Sequence, residues 1–322
     1  MQRRVRTHLL LVSCVVALAG ARAADAQARL IVEPRQPAVG SLIRLTIDRL
    51  AGNADSTISL TGTMAGEPLH FREAANGRWE ALAAIPIDAS DSVAANVVIT
   101  RASERVDTLH TALNYPHHPP PAPQSHGRSA GGSRLRVDPK FTRTNAANDA
   151  RVEHENELAR EVGRHAQDTP QLFTLPFLRP RQSRVTSQFG TGRVFNGKLS
   201  SSHLGVDYRG SVGDPIFAAN RGVVALVAEF FLAGNVVYID HGNGIVTGYF
   251  HMSEPQVAIG DTVERGQQIG LVGATGRVTG PHLHWSARFG ALTIDPADLF
   301  SLTAPFITPA PPPEKRSGRP HP

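Results

Sequence analysis

The run His282-Leu283-His284-Trp285-Ser286-Ala287-Arg288-Phe289 alternates polar and apolar residues without a break. In a strand, alternate side chains share a face, whereas in a helix residues two apart diverge by about 200°. As a strand, the run puts Leu283, Trp285, Ala287 and Phe289 on one side and His282, His284, Ser286 and Arg288 on the other. One apolar face against one polar face is the pattern of a half-buried strand, so both histidines are expected on the same solvent-facing side.

Two further runs extend the pattern. Leu204, Val206 and Tyr208 form an apolar face, which leaves His203 and Asp207 together on the other. Gly205 between them leaves room above the backbone for a metal or a substrate chain. In Ile245 to Met252, Val246, Phe250 and Met252 fall on one face with Gly248, and Thr247, Tyr249 and His251 on the opposite one. The preceding His241-Gly242-Asn243-Gly244 is a turn signal, so this strand is expected to hairpin with Asn235 to Asp240. His241 reads as a turn residue, not a ligand. Four histidines and one aspartate thus project from the polar faces of three predicted strands. Two imidazoles and a carboxylate suit Zn²⁺, and a catalytic site keeps its fourth position for water. Calcium and magnesium would want more oxygen ligands than this set offers.

The rest of the chain sets the context. Its 322 residues exceed one ordinary core, so two domains with linkers are expected. A net charge of +5 and a pI near 9.9 favour anionic surfaces such as envelope polymers. No basic helix and no aromatic-interleaved pattern is visible, so nucleic acid is not an expected partner. Arg3, Arg4 and Arg6 precede a short apolar run from Leu9 to Leu18, followed by alanine-rich cleavage sites. Residues 1–28 therefore read as a removed signal peptide, too short in its apolar part to span a bilayer, and the mature chain as periplasmic or secreted. Leu11-Val12-Ser13-Cys14 resembles a lipoprotein box, but little apolar sequence precedes it and more follows, so anchoring at Cys14 is the lesser reading. Cys14 is the only cysteine, so any metal site in the mature chain must use histidine and carboxylate.

Residues 29–115 carry short runs such as Leu42 to Ile47 and Asn96 to Thr100 at the spacing of a small β-sandwich, with no histidine or carboxylate constellation. Residues 116–147 read as a Pro/Gly-rich linker in which His117 and His118 are solvated. A helical connector is expected over 148–170, where Leu158 and Val162 lie four apart. His154-Glu155 opens an H-E-x-x-H zinc-helix pattern, but Leu158 takes the place of the second histidine. Glycine-punctuated strands fill 171–302, and the Pro-rich tail 303–322 is expected to be disordered.

Several blocks follow one another along the chain: Val185-Thr186-Ser187-Gln188-Phe189-Gly190, His203-Leu204-Gly205-Val206-Asp207, Tyr249-Phe250-His251, Gly270-Leu271-Val272-Gly273-Ala274-Thr275-Gly276, Gly280-Pro281-His282-Leu283-His284 and Asp295-Pro296. Together they resemble the lysostaphin-type, or LytM-type, zinc endopeptidases of family M23. The resemblance implies an antiparallel β-sheet peptidase domain within a mainly β chain. It implies one zinc ion held by His203, Asp207 and His284, with His251 and His282 as catalytic histidines beside the metal. Which of the two is the general base stays open. The implied substrate is a peptidoglycan peptide, either a cross-link or a bridge. More loosely, Gly66-Glu67-Pro68-Leu69 to Ile85-Pro86-Ile87-Asp88 resembles the Ig-like β-sandwich that precedes the peptidase in some Gram-negative members. Met252 stands where leucine is usual. Some relatives have lost ligands and act only as regulators, so a non-catalytic LytM-type regulator or wall-binding module is the alternative; none of the five positions is lost here. Val263 to Gly270 resembles the second half of a lipoyl- or biotinyl-type carrier, but the lysine such a carrier needs at its hairpin tip is missing. The segments before residue 171 are expected to restrain or position the peptidase through a flexible linker.

Overall fold

The structure, a computed structural model, describes residues 29–48, 58–74, 77–90, 92–101, 106–114, 133–143, 145–197, 199–303 and 306–307. The expected signal peptide, with Cys14, and the pair His117 and His118 lie outside the described residues. The fold is mainly β.

The C-terminal part is built on one antiparallel sheet. Its strands run in the order Val185–Ser187, Val206–Arg209, His282–Phe289, Ile245–Pro255, Gly234–Gly242 and Gly222–Phe230. The strand His282–Phe289 therefore lies inside the sheet, with Asp207 opposite His284 on one side and Phe250 opposite His284 on the other. The alternation sorts its side chains as physical chemistry requires: Leu283, Trp285, Ala287 and Phe289 join Val206, Tyr208 and Tyr249 in one apolar cluster. Burying such side chains contributes roughly 1.5–3 kcal/mol each, which fixes the register. A slip by one residue would turn every histidine into the core.

The polar face differs from expectation. His284 is 8% exposed and Ser286 7%, so this side is a buried wall and not a solvent-facing one. The hairpin expected between Asn235–Asp240 and Ile245–Met252 is present, with Asn243 in the left-handed region at the turn. His241, expected in the turn, instead belongs to the strand Gly234–Gly242 and is fully buried. Its Nδ1 donates to the Arg221 carbonyl at 2.7 Å, and burial pushes its pKa down to about 4, so it is a neutral core histidine.

A helix spans Ala146–Asp168, opened by Asn145, whose side chain accepts from the Asn148 amide at 2.8 Å. Its buried stripe is Glu155, Ala159, Gly163 and Ala166, with Leu158 and Val162 only partly covered beside it. The small residues allow close approach to the sheet: a Cβ on Gly163 would fall 1.8 Å from the Gly290 carbonyl oxygen. Glu155, from the broken zinc-helix pattern, instead accepts from the Phe231 amide and pairs with Arg151.

The front part is a sandwich of two four-stranded sheets. Ile43, Leu45, Ile47, Ala81 and Ala83 of one sheet meet Val93, Ala95, Val97 and Ile99 of the other. The first sheet is covered on both faces, because Leu42, Leu82 and Ala84 point the opposite way into the C-terminal core. Parts of the stretches expected as linker and tail are also structured. Ser133–Leu135 pairs in parallel with Gly192–Phe195. Phe306 is fully buried and accepts from the Gln171 side chain through its carbonyl at 2.6 Å.

Candidate metal centre

Three side chains converge from two neighbouring strands and the turn before one of them. His203 precedes the strand Val206–Arg209, Asp207 lies within it, and His284 faces Asp207 from the next strand. One donor atom from each of the three lies within 4.8 Å of the others, and all three residues are buried. Asp207 Oδ1 stands 2.9 Å from His203 Nε2 and 2.9 Å from His284 Nδ1, and those two nitrogens are 2.8 Å apart. This is a cluster able to coordinate a metal ion.

Electrostatics agree with that role. Burial by itself would raise the Asp207 pKa, but the adjoining His203 and His284 rings hold it well below the usual carboxylate range, so it is an anion. His284 is pushed down to about 4, chiefly by burial against the pull of Asp207, so its ring is neutral and has a lone pair to give. His203 Nδ1 donates to the Gln188 carbonyl at 2.9 Å, which turns Nε2 toward Asp207 and His284 as an acceptor. A backbone carbonyl behind a histidine ligand fixes both tautomer and ring orientation. Phe250 stacks on the His284 ring at 5.1 Å and closes that side of the site.

His251 and His282 stand beside this cluster. Their rings are 4.9 Å apart, and His251 is 5.9 Å from the His284 ring. Each donates through Nδ1 to a backbone carbonyl at 2.8 Å, His251 to Thr275 and His282 to Gly280. The Nε2 atoms are therefore the basic ones. His282 Nε2 is buried without a hydrogen-bond partner and lies 3.7 Å from Asp207 Oδ1. Burial first, and the neighbouring His282 and His284 second, hold His251 well below the ordinary imidazole value.

All five residues singled out in the sequence are thus close together, but two geometric reasons differ. Strict alternation would carry His251 to the core side with Thr247 and Tyr249; a left-handed backbone, φ 60°, brings it to the His284 side. Gly205 does not hold space for substrate. A Cβ there would fall 2.7 Å from the His284 ring, so the missing side chain makes room for that imidazole. The sequence reading passed over Arg193 and Arg277. Arg193 sits on the strand Gly192–Phe195 and its guanidinium contacts Asp207 and the Ser187 hydroxyl. Arg277 falls between the blocks Gly270–Gly276 and Gly280–His284, and that position was the one available signal.

Comparison with known proteins finds homology to metallopeptidases for the part of the chain that carries this geometry. Residues 201–296 match the model described as Peptidase family M23. Peptidoglycan DD-endopeptidase ShyA of Vibrio cholerae is 44% identical over 103 residues, 32% of this chain and 24% of that protein. Peptidoglycan DD-endopeptidase ShyC of the same organism is 45% identical over 127 residues, 39% of this chain and 29% of that protein. The chain therefore spans less than a third of either relative. A crystal structure described as a peptidase M23 from Pseudomonas aeruginosa superimposes with a TM-score of 0.57 at 23% identity, over 82% of this chain and 95% of that one. That likeness shows the fold.

Proposed function

We propose that the chain is a zinc-dependent endopeptidase that hydrolyses peptide bonds of peptidoglycan, exported to the periplasm or beyond. The observation that carries the reading is the convergence of His203, Asp207 and His284 with two further histidines beside them, each with Nε2 left basic. The donor set fits zinc: two neutral imidazoles and one carboxylate, a borderline-soft set too poor in oxygen for calcium or magnesium. A zinc ion held there supplies a Lewis acid that brings the pKa of water toward 7.

The protein's own residues do the rest. His251 and His282 present Nε2 toward one space, where either accepts a proton from water and returns it to the leaving amine. As a proton is taken up, the charged ring stabilises negative charge developing on the substrate carbonyl oxygen. Phe250 covers the His284 ring and shields that side of the cluster, which strengthens the interactions there. The homology to peptidoglycan DD-endopeptidases supports wall peptides as substrate, and the basic chain suits an anionic polymer.

The test is digestion of purified peptidoglycan by the zinc-loaded full chain, with mass spectrometry of the released peptides. Wild type releases cross-link or bridge fragments, chelation stops it and zinc restores it. His284→Ala loses both metal and digestion. A zinc-replete wild type that binds the wall and releases nothing supports the regulator reading instead.

A further inference from the structure

Beside the metal cluster runs an open groove of about 650 Å³, reached by Asp207 and His282 at one end and by Arg184, Arg193, Arg209 and Arg277 along it. Four guanidinium groups thus face a single carboxylate, Asp207, among the described residues that line it. Arg193 already has that carboxylate as its partner. Arg277 has none. Its guanidinium carbon sits over the Phe195 ring, 4.0 Å from the centroid, and the guanidinium makes no hydrogen bond or ion pair among the described residues.

An isolated, partly desolvated cation is costly, and the cost is higher when the nearest charge has the same sign. Both conditions hold: burial first, and Arg193 second, push the Arg277 pKa down to about 10. Contact with Phe195 holds the fork in place but leaves its N–H donors free. A planar guanidinium with free donors matches the bidentate geometry of a carboxylate.

We propose that Arg277, supported by Arg193, is a specificity-determining residue that binds a carboxylate of the substrate next to the scissile amide. The proposal rests on the peptidase reading above and narrows it. In a cross-link to a diamino dicarboxylic acid, the carbon bearing the acylated amine also carries a free carboxylate. A lysine-type side-chain amine or an oligoglycine bridge has no such group beside the amide. The groove therefore selects the cross-link to a diamino dicarboxylic acid, and amidation of that carboxylate removes the selected feature.

The experiment uses the zinc-loaded full chain and two synthetic cross-linked peptides that differ only in a carboxylate or a carboxamide on that carbon. Wild type is expected to prefer the carboxylate by about 10- to 100-fold in kcat/KM, the size of one charge-assisted hydrogen bond. In Arg277→Gln the preference collapses toward unity, with the loss falling on the carboxylate peptide and in KM. Arg277→Lys, which keeps the charge and the stem over Phe195, restores part of it. Zinc content and melting temperature of each variant report that the fold is kept. A preference that survives Arg277→Gln, or a wild type that cuts both peptides equally, overturns the subsite while leaving the peptidase reading intact. If wild type cuts neither peptide yet digests wall, the subsite is overturned in the same way. Failure on both peptides and on wall overturns the peptidase reading and the subsite with it.

Discussion

In an unbroken strand Thr247, Tyr249 and His251 share a face. Thr247 and Tyr249 do so, with the threonine hydroxyl donating to the tyrosine oxygen at 3.0 Å inside the core. At His251 the backbone enters the left-handed region, which costs an L-residue roughly 1–2 kcal/mol. The departure moves one imidazole across the sheet, where the Thr275 carbonyl receives its Nδ1 proton. A side chain placed at such expense should matter to turnover more than to metal. His251→Ala is expected to lower kcat by about 10²–10⁴-fold while zinc remains at one ion per chain by elemental analysis; undiminished kcat contradicts the assignment. The pH dependence has a definite sign. Burial disfavours the imidazolium, so the folded pKa lies below 6.5 and the basic form persists as pH falls through that value. The acid limb of kcat/KM should accordingly lie below pH 6.5, and a limb at or above it would count against His251 as the base.

Element by element, the legible part of the molecule is the part with long alternating runs. His282–Phe289 shows its inward face in the letters, because Leu283, Trp285, Ala287 and Phe289 have nowhere else to go. What lies over the opposite face cannot be read from alternation, since burial there is supplied by distant segments. Hence His284 and Ser286, legible as polar-faced, are buried. Arg193 was not legible as a site residue because its strand is four residues long, and it is tied to Ser133–Leu135 by pairing across some sixty positions. The register of the His284 strand also gives Gly205 its meaning. A methyl group there would meet the His284 ring at 2.7 Å and the Trp285 carbonyl oxygen at 2.5 Å. Gly205→Ala is therefore expected to weaken zinc binding by about 10- to 100-fold, the usual cost of disturbing what orients a ligand. Competition with a chromogenic chelator measures this, and an unaltered dissociation constant would refute it.

At the scale of the whole molecule, front and back halves share a core. Leu42, Leu82 and Ala84 pack in the same cluster as Trp285, the Leu42 amide donates to Asp298 Oδ2 at 2.8 Å, and the Asp295 amide donates to the Gly40 carbonyl at 2.8 Å. A front half fastened in this way packs directly on the C-terminal part, so removing it uncovers apolar surface. The seam should respond to pH. Burial first, and Asp295 with it, push Asp298 up to about 6, above the ordinary carboxylate value of 3.8. The folded state then binds more protons than the unfolded one between those values, so stability falls as pH rises from 4 to 6, by at most ~3 kcal/mol. Asp298→Asn keeps an oxygen for the Leu42 amide and should flatten this part of the melting-temperature profile; an unchanged slope would dissociate Asp298 from the seam. Separation along the chain has a last consequence. Asp207 and His284 are 77 residues apart and His203 and His284 are 81, and contacts that close so much intervening chain are slow to form. Until the strand His282–Phe289 pairs with Val206–Arg209, the five side chains are scattered along the chain and nothing is able to hold a metal ion; the site arrives with the pairing itself.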